Sequence, residues 1–173
     1  WISSRLAALP PVVPYAVGST IPVLGAPLEI RDGGTRGVVR RDGTALLVAG
    51  RAEHHGRRVV DWLKAEMRDA VRPEAERFAD ALGRPLGRLS LRETASRWGS
   101  CTSRGDISLN WRLVHAPRPV LTYVVAHECA HLVERSHAPR FWRVVDRLLP
   151  DYGHARAWLR RRGTELWRYQ SSV

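Results

Sequence analysis

Cysteine and long apolar runs are both scarce in this 173-residue sequence. The two cysteines, Cys101 and Cys129, are too few for a disulfide framework, so we expect both to be small buried hydrophobic residues of a cytoplasmic protein. The apolar stretch of residues 7–17 is broken by three prolines and falls short of the roughly 18 residues that cross a membrane. These absences argue against a disulfide-rich secreted protein and against a membrane span.

Lysine is nearly absent, because Lys64 is the only one and all other basic residues are arginine. The 28 Lys+Arg residues exceed the 17 Asp+Glu residues, which gives a formal net charge of +11. A surplus of this size raises nucleic acid or another polyanion as a partner. A nucleic-acid surface usually concentrates its charge on one face, whereas here the only run of three basic residues is Arg160, Arg161 and Arg162. We therefore favour a solvated basic surface over a dedicated nucleic-acid site.

The composition is that of a globular protein, with 44% hydrophobic residues and seven tryptophans. A chain of this length fits one domain spanning residues 1–173. Between Ile21 and Val48, short apolar runs alternate with Gly and Asp-Gly turns, which predicts three or four antiparallel strands joined by hairpins. We interpret residues 1–50 as a β-rich N-terminal lobe and residues 57–173 as the core that follows it.

The core predicts a mixture of helices and strands. Apolar residues recur at helical spacing from Val59 to Leu82, and Pro73 is expected to kink or split this helix. Alternating residues predict two or three strands within residues 88–94, 98–101 and 106–111. Helical spacing then returns in three segments: one entered at Pro117 and Pro119, one capped by Ser136 and ending at Pro150, and one from Ala155 to Trp167 that is weakened at Gly163.

A histidine motif lies on the first of these three helices. His127-Glu128-Cys129-Ala130-His131 has the spacing typical of zinc metalloproteases, because residues four apart lie on one helix face and both imidazoles can bind one ion. Glu128 can then point at the open side of the ion. A catalytic zinc site needs a third protein ligand, for which we favour His137, just past the helix end, over Glu134. His54, His55 and His115 are interpreted as solvent-exposed residues without a metal role.

Zn²⁺ at such a site would lower the pKa of a bound water to near 7. Glu128 can take the proton of that water as it attacks a carbonyl or phosphoryl centre, and can return the proton to the leaving group. The motif therefore predicts a zinc-dependent hydrolase.

Several segments together resemble the YgjP-like metal-dependent hydrolases, which are zincin metallopeptidase homologues related to the SprT-like and Wss-type proteases. The matching residues are Arg97-Trp98-Gly99-Ser100-Cys101, residues 107–113, residues 123–126, Ser136-His137, Phe141-Trp142 and Pro150-Asp151-Tyr152. The resemblance implies an α+β fold, in which a zincin-like catalytic core packs the motif helix on a small, mainly antiparallel sheet after the β-hairpin-rich lobe. It also implies His127, His131 and His137 as metal ligands and Glu128 as the catalytic residue. Cys129 replaces a bulkier apolar residue of the family, which leaves the ligands untouched.

Substrate binding is open to two readings at each candidate residue. Trp98, Gly99 and Ser100 fit either a core strand or a strand that lines the cleft and holds a peptide by strand addition. Asn110 and Arg97 are candidates for orienting the substrate, and Tyr152 or His154 for stabilising an oxyanion.

The sequence is compatible with three functions: a metallopeptidase, a nucleoside triphosphate pyrophosphohydrolase, and a nucleic-acid-associated module with structural zinc. A structural site normally needs a fourth ligand such as Cys, and none stands at suitable spacing.

Overall fold

The computed structural model describes residues 11–170, so the first ten residues of the predicted N-terminal lobe lie outside the described part. Its helices are α1 (His55–Ala81), α2 (Arg118–Ala130), α3 (Pro139–Leu148) and α4 (Gly153–Arg162). Its strands are β1 (Val13–Pro14), β2 (Thr20–Val23), β3 (Ala26–Asp32), β4 (Arg40–Asp42), β5 (Ala45–Val48), β6 (Leu89–Arg92), β7 (Gly99–Cys101), β8 (Ile107–Asn110) and β9 (Tyr169–Gln170). The predicted α+β class is confirmed. Within residues 11–170, no helix has the length and apolar character needed to cross a bilayer.

The four-stranded sheet of the N-terminal lobe has the order β2-β3-β5-β4. Two antiparallel hairpins are present as predicted, but β3 and β5 are parallel, so an all-antiparallel sheet was wrong. The physical reason is burial. β5 is largely buried, whereas every residue of Arg40–Asp42 is exposed, so β5 takes the centre of the sheet and β4 takes its edge.

Helix α1 runs through Pro73 as one element, so the predicted split does not occur. Its buried stripe, which includes Val59, Leu63 and Met67, packs at the centre of the molecule. Beside the proline, Arg118 donates to the carbonyl oxygen of Ala70 at 3.2 Å, so this part of the helix has a tertiary partner.

The second sheet, with the order β6-β8-β7, carries the histidine helix α2 on one face. β6 pairs with β8 in parallel and β7 pairs with β8 antiparallel, so this sheet is mixed rather than mainly antiparallel. β8 is the most buried of the three strands and takes the central place, which leaves β7 as an edge strand beside α2.

The last two helices pack on α2, but their boundaries differ in part from the prediction. Ser136 does not cap α3, because the N-cap residue is Ala138 and the Ser136 hydroxyl donates to Glu134 at 3.2 Å. Pro139, with its fixed φ, begins that helix instead. α4 ends at Arg162, and a 3₁₀ segment from Gly163 to Arg168 follows, as the weak point at Gly163 predicted.

One hydrophobic cluster connects the N-terminal strands with the helices of the core, and two histidines belong to its boundary. His115 and His55 are 2% and 6% exposed, so the expectation that both are solvent-exposed was wrong. The His115 ring contacts the hydroxyl of Tyr15 at 2.8 Å and the carbonyl oxygen of Pro22 at 2.7 Å. These partners lie about a hundred residues away in sequence, and they replace the hydrogen bonds that the His115 ring would otherwise make with water.

Cys129 is buried as predicted, whereas Cys101 is only half-buried.

Candidate metal centre

The C-terminal end of α2 places two imidazoles side by side. His127 lies in the last turn of the helix and His131 is its C-cap residue, with ring centroids 5.1 Å apart. The chain then turns tightly, because the amides of Leu132 and Val133 donate back to the carbonyl oxygens of Cys129 and Ala130. This turn aims the following segment back toward the helix end.

That returning segment brings His137 to the same point. Its Nε2 lies 3.0 Å from the Nε2 of His127, and its ring centroid is 4.9 Å from that of His131. One ligand atom from each of the three histidines lies within 4.8 Å of the others. Glu134 does not join the group, because its carboxylate contacts Ser136 and Arg140 instead. The structure thus brings together the three histidines that the sequence singled out.

The three nitrogens fit a divalent ion. Ligand nitrogens about 2.0 to 2.1 Å from a tetrahedral ion lie about 3.3 Å apart. The Nε2 atoms of His127 and His137 are 3.0 Å apart, and all three ligand atoms lie within 4.8 Å of one another. The Nδ1 of His131 lies 2.9 Å from the carbonyl oxygen of Glu134, which holds the proton there and leaves Nε2 free to bind. The buried Nδ1 of His127 has no partner among the described residues. Such a donor set suits zinc and other transition metals.

Phe141 forms the wall behind the three imidazoles. Its fully buried ring lies 4.8, 4.5 and 4.7 Å, centroid to centroid, from the rings of His127, His131 and His137. Burial is the main cause that lowers the pKa of His127 to about 3, and the charges of His131, His137 and Arg156 act in the same direction. Burial also lowers the pKa of His131. Neutral imidazoles are the form that binds a metal ion.

Glu128 follows His127 in α2, and its side chain packs against strand β7 at Gly99. It is 5% exposed, and burial raises the pKa of its carboxyl to about 7 while the charge of Arg97 opposes the shift. A Cβ atom added at Gly99 would meet the Cγ and Cδ atoms of Glu128 at 2.7 Å each. The side chain of Glu128 therefore occupies the space that the missing side chain of Gly99 leaves.

A cavity of about 300 Å³ lies against the second sheet and collects four of the predicted substrate-binding residues, Arg97, Gly99, Ser100 and Asn110. Asn110 has a structural role within it, because its side chain accepts from the amide of Arg112 at 3.1 Å and donates to the carbonyl oxygen of Thr94 at 2.9 Å. Trp98 is not among the residues lining the cavity. It packs against Gly163 and lies 6.1 Å from Trp167, centroid to centroid.

Tyr152 and Trp142 form an aromatic column beside the histidines. The Tyr152 ring stacks between the rings of Tyr123 and Trp142, with both centroids 5.9 Å away. The indole N–H of Trp142 donates to the carbonyl oxygen of His137 at 3.1 Å, and the guanidinium of Arg156 lies 4.1 Å above the Trp142 ring. His154 is exposed and takes no part in the column.

Three residues of this region, Phe141, Trp142 and Arg156, have no site role in the sequence analysis. The signal that could have found the first two is their position four and five residues after His137, at the start of a helix. Arg156 has no comparable signal, because its relation to the histidines depends on how α4 packs on α2.

A buried carboxylate beside three converging imidazoles is the arrangement of a hydrolytic metal site. Residues 1–162 match the family model described as YgjP-like, metallopeptidase domain, and the chain belongs to this family of metal-dependent peptidases. It is also similar to the solved metallopeptidase zymogen abylysin of Pyrococcus abyssi, with 26% identity, a TM-score of 0.47, and coverage of 60% of this chain and 99% of that chain.

A second similar structure is the metallopeptidase zymogen jannalysin of Methanocaldococcus jannaschii. It has 12% identity and a TM-score of 0.46, with coverage of 53% of this chain and 95% of that chain. No match is found among curated proteins.

Proposed function

We propose that this protein is a zinc-dependent metallopeptidase in which His127, His131 and His137 hold the ion and Glu128 is the general base. The observation that carries the proposal is the convergence of three imidazoles within 4.8 Å beside a buried carboxylate. When bound, the ion lowers the pKa of a coordinated water and polarises the carbonyl group of the substrate.

Glu128 has the properties that the proton transfer requires. Burial raises the pKa of its carboxyl above the ordinary value, which makes the carboxylate a stronger base for taking a proton from the attacking water before it returns that proton to the leaving amine. Its position is fixed by packing against β7 at Gly99, which leaves little freedom for the carboxylate to move away.

Three ligands in the described residues leave a tetrahedral ion one open position, which a catalytic site needs and a structural site lacks. This feature supports an enzyme rather than a binding module with structural zinc. Membership in a metallopeptidase family supports peptides rather than nucleotides as the substrate class.

The test compares Glu128→Gln with the unchanged protein, using unfolded casein as the substrate and elemental analysis for the metal. We expect turnover to fall by about 10² to 10⁴ with the metal content unchanged, because the variant loses only the proton acceptor. Glu134→Gln is the matched control, since it removes a neighbouring carboxylate that lies outside the histidine group. Full turnover by Glu128→Gln would refute the role of Glu128.

The substrate class is tested separately, by incubating the zinc-loaded protein with casein and with nucleoside triphosphates, each with and without a chelator. We expect chelator-sensitive cleavage of casein alone. Release of pyrophosphate without peptide cleavage would replace the peptidase proposal by the nucleotide hydrolase.

A further inference from the structure

One strong positive charge near the histidines has no role in the function proposed above. Arg156 belongs to α4, which packs on α2, and its side chain is half-buried. The guanidinium lies 4.1 Å above the ring of Trp142. That ring lies 5.9 and 6.0 Å, centroid to centroid, from the rings of His127 and His137. Trp142 is therefore a shared neighbour of the Arg156 guanidinium and of two of the three imidazoles.

The Trp142 ring, on which the guanidinium of Arg156 lies, is itself held by two contacts. Trp142 is fixed by its N–H bond to the carbonyl oxygen of His137 and by stacking on Tyr152. Stacking of a guanidinium on an indole restricts the planar group while leaving the N–H groups at its edge free to donate. The Trp142 ring of α3 therefore contacts both the loop that carries the third histidine and the cation.

Some arginines of this protein pair closely with a carboxylate, and among the described residues Arg156 does not. Arg112, Arg118 and Arg162 each pair with a glutamate at 2.6 to 2.9 Å. Between residues 11 and 170, no carboxylate lies within ion-pair distance of Arg156. A partly desolvated guanidinium without a carboxylate gains from an anion that arrives with the substrate or forms during the reaction.

We propose that Arg156 is a catalytic residue that binds the carbonyl oxygen of the scissile peptide bond as this oxygen becomes an oxyanion. This inference rests on the peptidase function proposed above. It names a residue other than the sequence-based candidates Tyr152 and His154, of which His154 is exposed.

The charges around the histidines are divided in the way this chemistry requires. Arg97 is the arginine whose charge acts on Glu128, whereas Arg156 acts on His127 and Tyr123. Glu128 packs against strand β7 and Arg156 lies on α4, and these two elements each contact α2. A substrate carbonyl between them can meet the attacking water on one side and a hydrogen-bond donor on the other.

In the reaction, the oxygen of water forms a bond to the carbonyl carbon while Glu128 takes a proton from the water. The electron pair of the C=O π bond moves to the oxygen, where the N–H groups of Arg156 bind the negative charge. When the C–N bond breaks, this pair re-forms the C=O bond and Glu128 returns the proton to the amine nitrogen. The N–H groups of Arg156 only donate hydrogen bonds in these steps.

The experiment uses zinc-loaded full-length protein and a phosphinic peptide, whose tetrahedral anionic group imitates the oxyanion. Arg156→Met keeps an unbranched stem over Trp142 and removes the charge, whereas Arg156→Lys keeps the charge without the planar donor pair. Arg160→Met is the matched control, since Arg160 is exposed one turn further along α4. Calorimetry gives the affinity for the phosphinic peptide, casein peptides give kcat and KM, and elemental analysis gives the zinc content.

We expect Arg156→Met to lower kcat by about 10² to 10³ with little change in KM, because the lost contact forms only in the transition state. The affinity for the phosphinic peptide should fall at least tenfold, and the zinc content should stay at the level of the unchanged protein. Arg156→Lys should recover part of both losses, and Arg160→Met should match the unchanged protein. If Arg156→Met does not fold, a loss of phosphinic peptide affinity in Arg156→Lys that is absent in Arg160→Met carries the test.

Unchanged affinity for the phosphinic peptide in both Arg156 variants would overturn the assignment. If the unchanged protein cleaves casein in the same experiment, the peptidase function stands and only the role of Arg156 fails. An equal loss in Arg160→Met would also overturn it, because the effect would then be one of general surface charge. If the unchanged protein binds zinc but neither cleaves peptides nor binds the phosphinic peptide, the peptidase function fails and the Arg156 assignment fails with it.

Discussion

Replacing Gly99 by Ala should inactivate the enzyme by displacing Glu128. The added Cβ would stand 2.7 Å from both Cγ and Cδ of Glu128. Carbon atoms in ordinary contact are about 3.5 to 4.0 Å apart, so the carboxylate has to move by about 1 Å. A shift of about 1 Å in a catalytic group costs roughly 10²-fold in rate. We therefore expect kcat to fall about 10²-fold in Gly99→Ala.

The fold should tolerate this substitution. Gly99 does not have the positive φ that favours glycine, and the atoms in its way belong to a side chain rather than to the backbone. The thermal midpoint and the zinc content should therefore change little, which separates this effect from unfolding. Gly153→Ala is the matched control, because a Cβ there meets no atom within 4 Å and the φ of Gly153 is also not positive.

A double-mutant cycle decides whether the loss acts through Glu128. If it does, adding Gly99→Ala to Glu128→Gln should lower kcat no further, because the displaced group is already without function. The assay is the initial rate of casein peptide cleavage by the four proteins, with the zinc content measured for each. Independent, multiplicative losses in the double variant, or full activity in Gly99→Ala alone, would refute the reasoning.

Three further predictions concern the walls of the site and the core. Phe141→Ala should lower the free energy of unfolding by about 3 to 5 kcal/mol and weaken zinc binding, whereas Phe141→Leu should cost less, as measured by urea unfolding and zinc titration. Tyr15→Phe should cost about 1 to 3 kcal/mol in the same unfolding assay, because the Nε2 of buried His115 then loses its donor. Burial lowers the pKa of His115 to about 4, below its unfolded value of 6.5, so the unfolded chain binds more protons between these values. The free energy of unfolding should therefore fall by roughly 2 kcal/mol as the pH is lowered from about 7 to 5. A His115→Gln variant that shows the same dependence of unfolding free energy on pH would contradict this cause.

The histidine motif was predictable because its geometry is local. Four residues of helix bring His127 and His131 together whatever the rest of the chain does, and His137 needs only one tight turn more. The approach of Gly99 to Glu128 was not predictable in this way, because it joins an edge strand to a helix about thirty residues further along the chain. Local spacing contains no information about such a contact.

Strand order and the burial of polar residues depend on competition across the whole chain. The turn residues predict the two hairpins of the N-terminal lobe, but they do not specify strand order. The most buried strands, β5 and β8, take central places in their sheets and form parallel pairs with β3 and β6. The sequence predicts an exposed His115 because a proline-rich turn follows it. Its burial follows from hydrogen bonds to Tyr15 and Pro22, whose nearness only the folded chain establishes.

The most direct test of the metal centre is a crystal structure of the zinc-loaded protein, with anomalous diffraction recorded at the zinc absorption edge. The account predicts one zinc ion, with the Nε2 atoms of His127, His131 and His137 about 2.0 to 2.1 Å from it and no fourth protein ligand. An anomalous peak elsewhere, or an ion bound without the ring of His137, would contradict it.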